Sequence, residues 1–239
     1  MKYLYGPVYS RRLGLSLGLN LVPYKVCTFD CVYCQLGKTT CLTLERKEYI
    51  NIEEILTELK SWFQVNPEKT KELKYITLSG SGEPTLNLKI AQLINQIKKI
   101  TPLPIAVITN SALLSDISVR KELSETDLIL PSLDAVKKEV FERINRPYPD
   151  ISIEKIIKGL IDLRKEFKGK LWLEVMLCAH INDDLRDIRR LKKVIDEINP
   201  DIIHLNSPIR TTTEQNILPV RKNKLKRIKE VLGEKAQII

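Results

Sequence analysis

The chain has 239 residues, 43% of them hydrophobic and 29% charged, with a formal net charge of +9 and a pI near 9.2. These values predict a soluble globular protein with one sizeable core. No apolar run approaches the roughly 18 residues of a membrane span, and the N-terminal sequence MKYLYGPVYS lacks the apolar centre of a signal peptide. We therefore expect a cytoplasmic protein with reduced thiols and no membrane partner.

Hydrophobic periodicity predicts six strands that alternate with helices. Leucines alternate with small polar residues from Leu15 to Leu21, which marks the first strand, and Pro23 ends it. Further strands are predicted at 75–78, 104–109, 127–130, 171–178 and 201–205. Helices are predicted near 52–63, 90–97, 116–123, 136–143, 152–167, 185–198 and 221–232. This order implies an α/β fold with a parallel sheet, and six units fit a partial, TIM-like (β/α)6 barrel better than a closed eightfold barrel.

No composition break divides the chain, so a single domain is predicted over residues 1–239. Within it we expect an N-terminal extension at 1–14, the barrel core at 15–207, and a C-terminal loop and basic helix at 208–239. The last helix is rich in lysine, which is compatible with a polyanionic partner such as RNA. A solvated helix face is the alternative.

Three cysteines at spacing C-x3-C-x2-C follow the first strand, namely Cys27, Cys31 and Cys34. Parallel barrels keep their chemistry at the carboxyl ends of the strands. Iron–sulfur clusters normally take four thiolates, so three thiolates leave one iron open to another ligand. A zinc site with Cys41 as the fourth ligand is an alternative, although the spacing lacks the usual second close pair. The odd total of five cysteines disfavours a disulfide framework.

The cysteine spacing, with the aromatic Tyr33 just before the last cysteine, resembles the signature of the radical S-adenosylmethionine (radical SAM) superfamily. The resemblance implies a 4Fe-4S cluster on the three thiolates, with S-adenosylmethionine (SAM) chelating the open iron. An electron from the cluster then cleaves SAM to a 5′-deoxyadenosyl radical, which abstracts hydrogen from a substrate. It also implies a splayed six-unit barrel with an open lateral face, and an electron donor such as flavodoxin or ferredoxin.

The segment SGSGEPTL follows the second predicted strand and resembles the superfamily's GGEP segment, whose backbone binds the methionine amino group of SAM. The matching positions are Gly80, Ser81, Gly82 and Glu83, with Ser81 in place of the first of two adjacent glycines. Glycines let a backbone approach a ligand closely. The alternative is a plain turn before a helix.

Polar residues end the third and fourth predicted strands. Asn110 and Ser111 resemble the TNG turn of related enzymes. Ser132 and Asp134, within PSLDA, resemble the SLDG segment that contacts the ribose and methionine of SAM. A hydroxyl and a carboxylate suit ribose hydroxyls and an ammonium group. Helix capping is the alternative for both pairs.

Glu174 lies in the fifth predicted strand among apolar residues, so it either faces the cofactor or substrate or pairs within the protein. His204 and Asn206 close the sixth strand, where the superfamily often contacts adenine. A structural histidine is the alternative for His204 and for His180.

The two remaining cysteines, Cys41 and Cys178, are predicted to be structural thiols. Arginines suited to bidentate recognition of carboxylate or phosphate are expected around the barrel mouth as candidate substrate contacts. They are Arg11, Arg12, Arg143, Arg146 and Arg210.

The run from YGPVYSRRLG to CQLGKTT, with INRPYP and NSPIR further on, resembles stand-alone radical SAM proteins related to the wyosine-base-forming tRNA enzymes. That resemblance suggests tRNA or a modified nucleotide as the substrate. The wyosine-forming enzymes use a second cluster, for which the two remaining cysteines are too few. Two other functions stay open: an activase or maturase acting on a partner protein, and a non-catalytic iron–sulfur or zinc binding module.

Overall fold

The computed structural model describes residues 1–239 and contains ten strands and eight α-helices. The strands are β1 (Leu4–Ser10), β2 (Gly14–Asn20), β3 (Val26–Cys27), β4 (Cys41–Leu42), β5 (Tyr75–Ser79), β6 (Ile105–Thr109), β7 (Leu128–Pro131), β8 (Lys170–Met176), β9 (Ile202–Asn206) and β10 (Ala236–Ile238). Eight of them form one sheet in the order β1-β2-β5-β6-β7-β8-β9-β10, and β3 pairs with β4.

The main sheet is parallel except at one edge, where β1 runs antiparallel to β2. The edge strands β1 and β10 do not pair with each other, so the sheet is not closed. The predicted partial α/β barrel with parallel strands is therefore confirmed. We call the gap between the two edges, bounded by β1 and β10, the seam.

The helices cross over between successive strands. They are α1 (Ile52–Val65), α2 (Pro67–Glu72), α3 (Ile90–Ile100), α4 (Ile117–Glu122), α5 (Lys138–Asn145), α6 (Ile153–Glu166), α7 (Leu185–Ile198) and α8 (Lys222–Leu232). Each connection between parallel strands of the main sheet contains at least one α-helix, the usual crossover between parallel neighbours. None of the eight is both long enough and apolar enough to cross a membrane.

The alternation in β2 assigns its residues to two environments. Leu17 and Leu19 are completely buried in a core cluster of 48 residues formed with the helices. Gly18 faces the other way, because a Cβ added to it would lie 2.0 Å from Cζ of the Tyr5 ring. Successive strand residues point to opposite faces, so the inner face of β2 is small and polar. This leaves room inside the barrel for the Tyr5 side chain of β1.

The strand count differs from the six that were predicted. The expected extension at 1–14 contains β1, and the expected C-terminal region at 208–239 contains β10 after its helix. Gly6 and Pro7, which predict a turn, lie inside β1, where the pairing register shifts between Tyr5 and Val8. Glycine and proline weaken the strand signal, and the three residues of β10 are too few for a periodicity argument.

Candidate metal centre and cofactor site

The cysteine loop, which we define as residues 24–41, follows β2 and is held on two sides by backbone hydrogen bonds. On one side Lys25 N donates to Ser81 O at 2.6 Å, in the loop after β5. On the other side Val32 N donates to Ile144 O at 3.0 Å, at the end of α5. These two contacts fix the cysteine loop between the loop after β5 and helix α5, which follows β7. The cysteine loop therefore lies at the carboxyl ends of the parallel strands.

Each of the three cysteine sulfurs has a nitrogen donor within hydrogen-bond distance. The pairs are Asn110 Nδ2 to Cys27 Sγ at 3.5 Å, Asn145 Nδ2 to Cys31 Sγ at 3.5 Å, and Lys25 Nζ to Cys34 Sγ at 3.1 Å. Donors to ligating sulfur orient the ligand and offset its negative charge. The surroundings of the sulfurs therefore suit thiolates that bind a metal centre.

Sequence reasoning did not find Lys25. Its side chain is only 2% exposed, and its backbone has a positive φ of 59°. A buried ammonium is stable only beside a compensating group, and here that group is the Cys34 sulfur. A lysine two positions before the first cysteine was the only available signal, and nothing in the spacing distinguishes it from a surface lysine.

Burial governs the ionisation of two of the thiols. Desolvation, followed by the nearby carboxylate of Glu83, raises the pKa of Cys27 to about 11. Desolvation, followed by the charge of Cys27, raises the pKa of Cys31 well above its ordinary value. Thiols must lose their protons to become metal ligands. Metal binding at this loop therefore releases protons and becomes more favourable as the pH rises.

The arrangement of the thiols bears on which kind of metal centre fits. No three His, Cys, Asp or Glu side chains lie close enough to share a single metal ion. Iron–sulfur clusters are held by cysteine thiolates, and structural zinc usually takes four Cys or His ligands. The donor set of three thiols on one loop, each with its own nitrogen donor, therefore fits an iron–sulfur cluster with one iron left open.

The loop after β5 contacts the base of the cysteine loop. A Cβ added to Gly82 would lie 1.9 Å from Val26 O, and Glu83 N donates to the same oxygen at 3.2 Å. The Glu83 carboxylate is 2% exposed and accepts hydrogen bonds from Thr109 Oγ1 at 2.7 Å and from Asn110 N at 2.8 Å. Burial raises the pKa of this carboxyl. Glu83 thus joins the ends of β5 and β6.

Gly80 and Ser81 lie at the end of β5 beside the end of β2. Gly80 has a φ of +102°, and a Cβ there would meet Asn20 Oδ1 at 2.0 Å. Both the backbone N–H and the hydroxyl of Ser81 donate to that same Asn20 oxygen at 2.9 Å. Glycine is required at position 80, because both the positive φ of the backbone and the nearby Asn20 side chain exclude a Cβ there.

Asp134 lies behind the cysteine loop and binds it through Tyr33. The Tyr33 hydroxyl donates to Asp134 Oδ2 at 2.5 Å, and Asn145 Nδ2 donates to the same oxygen at 2.8 Å. Met176 N donates to Oδ1 at 2.8 Å. The residue is 4% exposed, and burial raises its pKa to about 6 against these stabilising donors. Its carboxylate is thus engaged by protein donors, whereas the sequence predicted contacts with SAM.

Ser132 and Ser111 have different surroundings. The Ser111 backbone has a φ of +73°, and its hydroxyl donates to Ser132 O at 2.7 Å, so it links the ends of β6 and β7. Ser132 is half-buried, and its N–H donates to Thr109 O at 3.0 Å. This leaves the side-chain hydroxyl of Ser132 available to a ligand.

Glu174 points into the barrel and is paired there. Its carboxylate forms an ion pair with Arg12 and accepts a hydrogen bond from Asn206 Nδ2 at 3.0 Å. Arg11 donates to Asn206 Oδ1 at 2.9 Å and to the backbone oxygen of Ile239 at 2.8 Å. Arg11 therefore bridges the seam, from the turn after β1 to the ends of β9 and β10. These contacts account for the buried carboxylate as a paired group.

His204 is 3% exposed, packs edge-on against the Trp172 ring at 5.5 Å, and has no hydrogen-bond partner for Nδ1. Burial lowers its pKa, so the imidazole is neutral at pH 7. His180 is exposed, with a φ of +64°. Cys178 is buried, and Cys41 is exposed in β4. Neither thiol forms a hydrogen bond with Cys27, Cys31 or Cys34.

The predicted arginine ring is only partly assembled. Arg11, Arg12 and Arg210 line one cavity of about 470 Å³ inside the seam. Arg146 instead forms an ion pair with Glu214, and Arg143 is exposed on α5. Residues from the inner faces of β2, β5 and β6 also line this cavity, as does Gln35, the residue after Cys34. We call it the seam cavity; its volume suits a small organic ligand.

Comparison with known proteins identifies the family. The sequence profile of the radical SAM superfamily matches residues 21–192. The chain is 35% identical to a UPF0026 protein of Methanocaldococcus jannaschii, over 98% of this chain and 72% of that protein. It is 38% identical to a protein of Brachyspira hyodysenteriae named GTPase Obg, over 96% of this chain. The chain spans 33% of the length of that second protein.

A solved structure of TYW1 with a lysine-pyruvate adduct bound superimposes with a TM-score of 0.65 and 20% sequence identity, over 91% of this chain and 72% of that one. At this identity the likeness shows the shared fold, a partial barrel whose sheet does not close. The resemblance that the three cysteines first suggested is thereby confirmed by both sequence and fold. The chain belongs to the radical SAM superfamily and, within it, to the UPF0026 proteins.

Proposed function

We propose that this protein is a radical SAM enzyme that holds a 4Fe-4S cluster on Cys27, Cys31 and Cys34 and acts on tRNA or a modified nucleotide. The observation that carries the proposal is the set of three thiols on one fixed loop, each with its own nitrogen donor. When bound, the cluster would supply the electron that cleaves SAM to the 5′-deoxyadenosyl radical, for which flavodoxin or ferredoxin is the proposed donor.

The residues around the cysteines have separable roles in this proposal. Asn110 and Asn145 orient two of the sulfurs, while Lys25 offsets the charge of the third. The carboxylates of Glu83 and Asp134 already bind protein donors, which supports a positioning role for both. By this reasoning Glu83 holds the ends of β5 and β6 in register, and Asp134 holds Tyr33.

SAM itself is proposed to lie along the carboxyl ends of the strands. The backbone at Gly80 and Ser81 is the candidate for the methionine end, and the Ser132 hydroxyl is the candidate for the ribose. The end of β9, at His204 and Asn206, is the candidate for adenine. The unpartnered Nδ1 of His204 supports this assignment, since buried polar atoms usually have a partner in the functional state.

A nucleic-acid substrate is supported by the charge distribution. The formal net charge is +9. The solvent-facing side of α8 and its N-cap is basic, with exposed Arg221, Lys222, Lys226, Arg227 and Lys229. Phosphate backbones bind such surfaces through charge, and the affinity falls with salt. tRNA binding that weakens steeply between low and physiological salt would agree with this substrate class.

The test is anaerobic reconstitution with iron and sulfide, followed by dithionite reduction in the presence of SAM and chromatography of 5′-deoxyadenosine. We expect 5′-deoxyadenosine from the native chain and none from Cys34→Ala. Cys41→Ala is the matched control, because Cys41 is exposed and outside the cysteine triad, and it should retain cleavage. Iron content and cluster absorption should likewise be high in the native chain and in Cys41→Ala and low in Cys34→Ala.

Three results would contradict the proposal. Binding of zinc in place of iron after reconstitution would replace the cluster with another metal site. An intact cluster without cleavage, with tRNA or without it, would make the protein a non-catalytic module. Cleavage that is stimulated by a partner protein and not by tRNA would support an activase instead.

A further inference from the structure

The three donors to the cysteine sulfurs differ in charge. Asn110 and Asn145 each contact one sulfur through a neutral amide group. The third sulfur, that of Cys34, has a charged donor, because Lys25 Nζ lies 3.1 Å from Cys34 Sγ. A positive charge thus lies beside one of the three candidate ligands, and hydrogen bonds alone do not require it there.

The ammonium group of Lys25 is buried without a carboxylate partner. The residue is 2% exposed and forms no ion pair, and Cys34 Sγ is the only hydrogen-bond partner of Nζ. The buried carboxylate of Glu83 is occupied by other donors. Burying a charge is unfavourable unless an opposite charge compensates for it. The position of Lys25 therefore favours negative charge on the group that Cys34 binds.

The backbone holds Lys25 in place on both sides. Its φ of 59° is uncommon for a residue with a side chain, and such a conformation persists where the surrounding structure enforces it. Lys25 N donates to Ser81 O at 2.6 Å, and Lys25 O accepts from Thr40 N at 3.2 Å and from Cys41 N at 3.1 Å. The loop after β5 and the end of the cysteine loop thus jointly direct this side chain toward Cys34.

A fixed, buried positive charge affects the two oxidation states of a cluster unequally. Reduction adds one electron, so the reduced cluster carries more negative charge than the oxidised one. The reduction potential of an iron–sulfur cluster depends on nearby charge, on hydrogen bonds to sulfur and on solvent exposure. Attraction to a buried ammonium is weakly screened, because little water separates the charges. An exposed lysine at a similar position in the chain would be screened by water and salt.

We propose that Lys25 raises the reduction potential of the cluster on Cys27, Cys31 and Cys34, so that a one-electron donor reduces it more readily. This inference rests on the proposed function and specifies how the site receives its electron. One electron passes from the donor to the cluster, and Lys25 neither gains nor loses a proton. Lys25 acts through the Cys34 sulfur, so its role is to tune the cluster.

The test is an anaerobic redox titration of the reconstituted full chain without SAM, in which electron paramagnetic resonance measures the reduced cluster. Lys25→Met removes the charge and the hydrogen bond, whereas Lys25→Gln removes the charge and keeps a donor. We expect each variant to lower the equilibrium constant for reduction by about tenfold or more, which is a midpoint about 59 mV lower for a one-electron couple.

Lys38→Met is the matched control. Lys38 lies in the same cysteine loop, but it is exposed and forms no ion pair. The substitution removes the same charge from a position that solvent screens. We expect its equilibrium constant for reduction to stay within about twofold of the native value. Iron content is measured for all four proteins before the titration.

Four outcomes would overturn the proposal. The first is a native midpoint in Lys25→Met. The second is an equal shift in Lys25→Met and Lys38→Met, since net charge would then be responsible. The third is a shift in Lys25→Met that is absent in Lys25→Gln, which would assign the effect to the hydrogen bond. The fourth is loss of iron from both Lys25 variants while Lys38→Met is fully loaded, which would make Lys25 an assembly residue.

The titration contains no SAM, so the two proposals can fail separately. Lower midpoints in both Lys25 variants, without 5′-deoxyadenosine from the native chain, would refute the radical chemistry and keep the tuning role. Cleavage of SAM by the native chain, with equal midpoints in all four proteins, would do the reverse.

Discussion

The carboxyl group of Asp134 has opposing influences on its ionisation. Burial raises its pKa from 3.8 to about 6, although Tyr33, Asn145 and the backbone of Met176 all donate to it. One pKa unit corresponds to about 1.4 kcal/mol, so the ionised group makes folding less favourable by about 3 kcal/mol. In return, the carboxylate accepts the hydrogen bond that fixes Tyr33, the residue just before Cys34.

A pH dependence of stability follows from that shift. Between pH 4 and 6 the unfolded chain has lost the Asp134 proton while the folded chain keeps it. The contribution of this group therefore decreases the free energy of unfolding as the pH rises, and the decrease is complete above pH 6. In Asp134→Asn this decrease should disappear, so the difference in unfolding free energy should shift in favour of the variant by about 2 kcal/mol between pH 4.5 and 7.

Urea unfolding of the iron-free chain under anaerobic, reducing conditions at several pH values measures this difference. Asp150→Asn, which removes an exposed carboxylate, is the control. If the free energies of unfolding of the native chain and of Asp134→Asn change in parallel with pH, Asp134 does not have the raised pKa that we infer.

At the scale of elements, the loop after β5 determines where the cysteine loop begins. Gly82 lies so close to Val26 O that a methyl group would overlap that oxygen. Gly82→Ala must displace one of the two loops, and overpacking of this kind typically destabilises a fold by about 1–3 kcal/mol. We expect the variant to fold but to lose most of its iron after reconstitution, as measured by iron content and cluster absorption.

Gly37→Asn is the matched control within the cysteine loop. Gly37 has a φ of +81° and nothing near its missing Cβ, and asparagine tolerates this conformation better than other residues. The control should retain its iron. Equal iron contents in the two variants would mean that the contact between the loops does not position the cysteines.

At the scale of the whole molecule, we propose that residues 1–239 fold as a single domain. The sheet is continuous from β1 to β10, and its main core cluster includes residues from Leu4 to Ala236. Strands from the two ends of the chain thus share one core. Unfolding one end would expose the apolar surface of the other, which is the usual source of cooperativity.

Two tryptophans allow a direct measurement of that cooperativity. Trp62 lies in α1 and Trp172 lies in β8, so Trp62→Phe and Trp172→Phe each leave one fluorescent reporter in a different half of the barrel. Each substitution also changes the stability of its variant, so the urea midpoints are first corrected for that change. We then expect the two fluorescence reporters and the circular dichroism of the native chain to show the same urea transition. Separate midpoints for the two reporters would divide the chain into two folding units.

The sequence predicted the strands and helices whose apolar periodicity is strong, and it missed those whose register depends on distant partners. The leucine alternation of β2 located that strand within one residue. By contrast β1, with Gly6 and Pro7, is a strand only because it pairs with β2. The cysteine triad was visible as spacing. The role of Lys25 was not, because a lysine reveals its burial only when Cys34 lies beside it in space.

The prediction for Glu174 shows the same limit. A carboxylate on an inward-facing strand had to be paired or face a ligand, and sequence reasoning left both possibilities open. Its partner, Arg12, is 162 residues away along the chain. That pairing depends on how closely the curvature of the sheet brings the turn after β1 to β8, which no local pattern specifies.

The bridge that Arg11 makes across the seam has a kinetic consequence. A barrel closed by a backbone ladder opens only when strands separate, which is a slow, partial unfolding. Here only side chains reach across the seam: Arg11 makes two hydrogen bonds, and Arg12 is paired with Glu174. Rotation of an exposed side chain such as Arg11 takes on the order of nanoseconds, whereas a typical enzyme turns over on the order of ten times per second. Passage past Arg11 would therefore equilibrate many times within each catalytic cycle, so this side chain would not limit the rate.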